Sequence, residues 1–308
     1  MSGRSTSSSS TKKASCSRSE RTERRLNSVA APETPKKSRA GRNLPAAIAV
    51  GTTLGAIAIA VLLFAPKGWL VMLALAIPIA TYEVIRRLGE AGYALPAVAL
   101  LVGGQAILWL TWPYGVSGAL GGYAGTIVVC MVWRLVGQGL SRQPVNYLRD
   151  ISATVLLATW VPLFATFSAL LVFQDHGGGR VFAVIATVVF ADTGGYTAGV
   201  LFGKHPLAPA ISPKKSWEGL GGSLVFGITA AVLSVTFLLG KAWWVGLPLG
   251  LLLVITGVLG DLVESQVKRD LGIKDMGTLL PGHGGVMDRI DAMLPSAVAG
   301  WIVLTLLA

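Results

Sequence analysis

Apolar runs of about the length that crosses a bilayer recur along nearly the whole of this 308-residue chain, and that repetition leaves few folds open. They fall at residues 44–64, 68–86, 95–112, 118–137, 151–173, 181–202, 218–240, 243–263 and 291–308. A helix needs roughly 20 apolar residues to cross the hydrocarbon core. In lipid every backbone polar group must be satisfied internally, so successive runs of this kind predict an all-α polytopic membrane protein of about nine transmembrane helices. Only 13% of residues are charged, about half the share in soluble domains, which excludes an ordinary water-soluble fold. The sixth run is the least apolar, because it carries Asp192 and several glycines.

Charge gives the organisation and the orientation. Residues 1–43 hold eleven Lys/Arg against three Glu, most of the net charge of +11, in a Ser- and Thr-rich stretch with few large apolar side chains. This predicts a disordered basic tail. Directly before a membrane span, its partner is expected to be anionic lipid heads, and no nucleic-acid partner is expected. A first apolar run that is long enough to span argues against a cleavable signal peptide. With the tail inside, loops 86–95, 134–150, 203–217 and 264–289 hold nearly all remaining Lys and Arg; the opposite connections hold only Lys67, Arg180 and Lys241. The positive-inside rule then predicts a cytoplasmic N-terminus, an external C-terminus and every charged motif on the cytoplasmic face. Three regions follow: the tail 1–43, N-terminal transmembrane helices in 44–150, and a C-terminal transmembrane region in 151–308 that carries the motifs. The two cysteines, Cys16 and Cys130, suit neither a disulfide framework nor a cysteine metal site.

The densest motif is Ser265–Asp291, SQVKRDLGIKDMGTLLPGHGGVMDRID, where both signs of charge surround a glycine-rich turn. Charge beside a bilayer is costly and marks a functional candidate. Asp261, Ser265 and Lys268 lie at i, i+4 and i+7 and share one helix face; Glu264 and Lys268 are placed to pair. Gly282, Gly284 and Gly285 permit positive torsions and close approach to a ligand, and successive N–H groups there can form an anion nest. His283 is placed to contact phosphate or a base, or else to stabilise the turn. Asp288 and Asp291, at i and i+3, open the last helix, where carboxylates also serve the helix dipole. With Asp261 and Asp275 they exceed what capping needs. Mg²⁺ takes one or two carboxylates plus phosphate oxygens and water, so Asp261 and Asp288 are the expected pair of ligands, with Lys268, Lys274 and Arg289 balancing phosphate charge.

A second cluster lies upstream. Asp192 sits well inside the sixth run and is a functional candidate for that reason. Gly194, Gly195, Gly199 and Gly203 form a small-residue surface, with close helix packing the reading preferred for Gly199 and Gly203. In Ser212-Pro213-Lys214-Lys215-Ser216, Ser216 is placed to cap the next helix; the lysines either satisfy the charge rule or meet a triphosphate beside a helix N-terminus. Glu83, Arg86 and Arg87 are read as a local pairing without chemistry. The chain has no GxxxxGK[ST] loop, GxSxG elbow or HExxH helix, and three scattered histidines do not make a histidine metal site.

The Ser265–Asp291 segment resembles the signature of the phosphatidate cytidylyltransferase (CDP-diacylglycerol synthase) family. It matches at Ser265, Lys268, Arg269, Lys274, Asp275, Leu280, Pro281, His283, Gly284, Gly285, Asp288, Arg289 and Asp291. The Asp192 and Ser212–Gly219 motifs look like the same family, with Gly195 in place of a frequent Ala and Ser216 in place of a frequent Thr. The likeness is good over about residues 150–308 and general before that. It implies transfer of the cytidylyl group of CTP to phosphatidate, a Mg²⁺-dependent reaction for phospholipid synthesis in the cell membrane, by a homodimer; it leaves room for a second cation. On that reading Asp261, Lys268, Asp288 and Arg289 are catalytic, Ser212, Lys214, Lys215, Ser265, Arg269, Lys274, His283, Gly284 and Gly285 bind substrate, and Asp192, Asp275 and Asp291 support them. The rivals are a CTP-dependent polyprenol or phytol kinase and, further off, a transporter coupled through Asp192.

Overall fold

The computed structural model describes residues 44–140, 143–277, 279 and 284–308, with the backbone alone for 44–50 and 138. The basic tail, together with Leu280, Pro281, Gly282 and His283 of the signature turn, lies outside the described residues. The helices are α1 (Leu44–Phe64), α2 (Trp69–Glu90), α3 (Ala97–Gln138), α4 (Tyr147–Val172), α5 (Gly177–Phe202), α6 (Trp217–Leu238), α7 (Gly246–Asp270) and α8 (Met287–Leu307). Seven helical segments among the described residues are long and apolar enough to cross a membrane. One two-stranded antiparallel hairpin, β1 (Pro206–Ala208) with β2 (Ser212–Ser216), is the only sheet described. The chain is an all-α polytopic membrane protein.

Every expected apolar run lies in one of these helices, but two of them share α3. In place of a loop between residues 112 and 118 there is a reversal at Gly115, whose φ of 56° and ψ of −136° are non-helical. The preceding Pro113 brings no N–H, and Gly115 accepts a torsion that other residues resist. The two arms pack antiparallel: a β-carbon on Gly122 would lie 2.9 Å from Ile107 Cα, and one on Gly103 would strike Thr126. Helix α4 carries a π turn over Thr159–Leu163 around Pro162, a proline accommodation common in membrane helices. Near its start, buried Asp150 pairs with Arg134 at 2.6 Å and ties α4 to the end of α3.

Helices α5 to α8 run antiparallel in sequence, and glycines set their spacing. A β-carbon on Gly194 would sit 2.6 Å from the Gly222 carbonyl, and one on Gly195 2.3 Å from Ser223 Oγ. The nearest neighbour at Gly199 is at 3.5 Å, so the tightest contact between α5 and α6 falls on Gly194 and Gly195, earlier on the helix than the preferred Gly199. Gly250 lies against Ile228 on α6, and Gly260 against the Asp291 carbonyl and Pro295 on α8. Pro295 brings no N–H for the Asp291 carbonyl, which is left to face α7. These contacts gather the C-terminal ends of α5 and α7, the N-terminal ends of α6 and α8, and the β hairpin at one end of the bundle.

Candidate active site

At that end α7 presents the expected face. Ser265 Oγ approaches Asp261 Oδ1 at 3.4 Å, and Lys268 pairs with Glu264 one turn back. The start of α8 brings Asp291 to the same place. One carboxylate oxygen from each of Asp261, Glu264 and Asp291 lies within 4.8 Å of the others. Glu264 is 1% exposed and Asp291 8% exposed, and Glu264 Oε1 has no hydrogen-bond partner among the described residues. Three carboxylates this close repel one another and are held together at a cost unless positive charge stands among them. Lys268 and Lys215, which pairs with Asp261, supply part of it. An all-oxygen donor set with an unsatisfied oxygen suits a hard divalent cation such as Mg²⁺.

Asp288 occupies a different setting. Its side chain is 4% exposed and lies 2.7 Å from Lys268 Nζ. Its carboxylate accepts N–H bonds from Gly285 at 2.7 Å, from Met276 at 3.0 and 3.1 Å, and from Gly277 at 3.4 Å. Two successive donors, Met276 and Gly277, and Gly285 of the glycine-rich turn, where Gly284 stands at φ 82°, thus converge on the chain's own carboxylate; the expected anion nest over Gly282–Gly285 falls partly outside the described residues. Of the expected metal pair, Asp261 stands in the acidic group and Asp288 outside it. Asp288 is filled by donors, and the acidic group among the described residues is Asp261, Glu264 and Asp291.

A cavity of about 350 Å³ opens beside Asp261 and is lined by Asp192, Tyr196, Ser212, Lys214, Lys215 and Ser223 among others. The upstream motif thus reaches the same place as the downstream one. Ser216 caps α6 by accepting the Gly219 N–H at 3.1 Å. Glu218, in the first turn of α6, accepts the N–H groups of Lys204 and His205 and contacts His205 Nδ1 at 2.6 Å, which fixes the start of the hairpin. Arg269 is exposed, and its Nε donates to the Ile211 carbonyl at 3.3 Å, linking α7 to the hairpin turn. Lys274, Asp275 and Arg289 are exposed around the loop, and His283 lies outside the described residues. A roomier cavity of about 620 Å³, near Lys67 and His176, lies at the opposite helix ends and holds none of the expected residues.

Two carboxylates were missed. The sequence pairs Glu264 with Lys268, although its position one turn from Asp261 is a usable signal. Sequence spacing offers Arg86 and Arg87 as partners for Glu83. Those arginines instead pair with Glu90, at 3.1 and 2.8 Å, and Glu83 accepts the Met287 N–H at 2.9 Å. Its signal was an ionisable side chain far enough into an apolar helix to be buried.

The chain is also similar to known proteins along most of its length. The model of the cytidylyltransferase family matches residues 45–307. A phosphatidate cytidylyltransferase of Mycobacterium bovis is 61% identical over 278 residues, covering 88% of this chain and 91% of that one. One of Mycobacterium leprae is 62% identical over 285 residues, covering 89% and 91%. One of Pseudomonas aeruginosa is 38% identical over 211 residues, covering 65% and 68%. With almost its whole membrane-embedded length matched, the chain belongs to the cytidylyltransferase family.

Proposed function

We propose that this chain transfers the cytidylyl group of CTP to phosphatidate, giving CDP-diacylglycerol and pyrophosphate. The observation that carries the reading is the meeting of three carboxylates with Lys215 and Lys268 beside one cavity, in a chain of this family. The lipid phosphate is already anionic, so its oxygen attacks the α-phosphate of CTP without a strong general base. Catalysis then rests on positioning and on neutralising charge. Lys214 and Lys215 bind the triphosphate at the cavity wall, with Ser212 beside them. Lys268, held between Glu264 and Asp288, screens the reacting phosphates from below, and Arg289 screens them from the rim. Asp192 balances Lys215 across the cavity. Asp261, Glu264 and Asp291 hold Mg²⁺, which when bound supplies charge neutralisation at the phosphate oxygens. Asp288 and Asp275 order the loop. The site faces the cytoplasm, a reading that the excess of Lys and Arg in the loops on that side supports, in a homodimer within the cell membrane.

The test uses purified protein in detergent with Mg²⁺, phosphatidate, and CTP labelled in the cytidine or in the γ-phosphate. Cytidine label in the lipid and γ-label in pyrophosphate are expected. γ-Label in a lipid would make the chain a kinase, and no turnover would overturn the reading.

A further inference from the structure

The proposed reaction uses residues of α5 to α8, yet a carboxylate of α2 lies beneath the signature loop. Glu83 is 7% exposed, and its Oε2 accepts the Met287 N–H at 2.9 Å, 204 positions along the chain. Its Oε1 is buried without a hydrogen-bond partner among the described residues. The loop closes over it without clearance: a β-carbon on Gly277 would fall 2.1 Å from Oε1, and one on Gly285 2.4 Å from Oε2. One helical turn further on, Arg87 Nε donates to the Met276 carbonyl at 2.9 Å. Thus α2 grips both edges of the loop. The residues it grips are Met276 and Met287, and Met276, Gly277 and Gly285 are the residues whose N–H groups hold Asp288. Asp288 in turn holds Lys268. Burying a half-satisfied carboxylate is costly, and a fold that does so at a candidate site gains something by it.

We propose that Glu83 is a positioning residue for the transfer reaction. It fixes the loop around the Asp288 carboxylate and thereby aims Lys268, although it touches no substrate. The part about catalysis rests on the proposed function above; the part about the loop does not. Glu83→Leu removes the acceptor at similar volume, and Glu83→Gln keeps one. Hydrogen exchange of the full chain in detergent should show the Met276 and Gly285 amides, which bond to Asp288 and not to Glu83, exchanging about tenfold faster in E83L. In the same protein kcat should fall about tenfold while KM for CTP changes less than about threefold, and E83Q should restore most of the loss. If E83L yields no folded protein, R87M decides, with exchange at Met276 expected to rise about threefold. Unchanged exchange at Met276 and Gly285 in E83L, or at Met276 in R87M, would overturn the inference. So would an activity loss in E83L that only tracks the fraction of folded protein. Altered exchange in a protein that never turns over CTP and phosphatidate would count against the proposed reaction and leave the loop role standing.

Discussion

Asp288 and Asp291 stand one turn apart on α8, and the fold surrounds them in opposite ways. Asp288 reaches into the loop, where backbone N–H groups and Lys268 take up its oxygens. Asp291 reaches across to α7 and joins Asp261 and Glu264, with few donors and an unpartnered oxygen among them. A carboxylate already saturated with donors organises protein; carboxylates crowded together with few donors suit a cation. The two settings are joined through Lys268, which bonds to Glu264 in one and to Asp288 in the other.

The comparison is most severely tested at the acidic group. Asp261→Ala or Asp291→Ala should cost more than about a thousandfold in kcat, roughly 4 kcal/mol of barrier, and EDTA should abolish wild-type activity until Mg²⁺ is restored. Either variant keeping a tenth of the wild-type rate, or an EDTA-treated enzyme that still turns over, would remove the metal role. Asp288→Asn should lose about a hundredfold through disorder of the loop, roughly 2.7 kcal/mol, with the Mg²⁺ concentration giving half-maximal rate unchanged. A shift of that midpoint as large as in a Glu264→Gln variant would merge the two settings into one. At the next level down, Gly195→Leu should force α5 from α6 and cost about 1–3 kcal/mol, seen as a lower thermal midpoint in detergent; an unchanged midpoint would mean that this contact is slack. The smallest effect is reserved for Ser216→Ala, which should lose about 1 kcal/mol of stability with the α6 cap. A larger loss in rate than in stability would place Ser216 on substrate instead.

The helices were legible because a membrane imposes one length and one composition on each crossing, and the apolar runs report both. The turn at Gly115 was not, since Trp112-Pro113-Tyr114 reads as a short loop and only the approach of Gly122 to Ile107 reveals how sharply the arms fold back. At the site, regular helical spacing correctly put Asp261, Ser265 and Lys268 on one face. The same rule put Asp288 and Asp291 together but could not say which of them the loop would claim, because that depends on where Met276 and Gly285 direct their N–H groups. The burial of Glu83 was legible but its contact was not: Arg86 and Arg87 offered it local partners, and its actual contact with Met287 spans most of the chain.

The hairpin of α3 has a bearing on how the protein is made. As one straight rod its 42 residues would extend about 63 Å, twice the hydrocarbon thickness of a bilayer. Folded at Gly115, the two arms form a closed pair whose tip, Trp112 to Ser117, holds no Lys, Arg, Asp or Glu. Nothing charged has to be carried through the lipid to seat it, and Trp112 and Tyr114 suit the opposite headgroup layer. The pair therefore crosses and returns with its own arms as each other's packing partner.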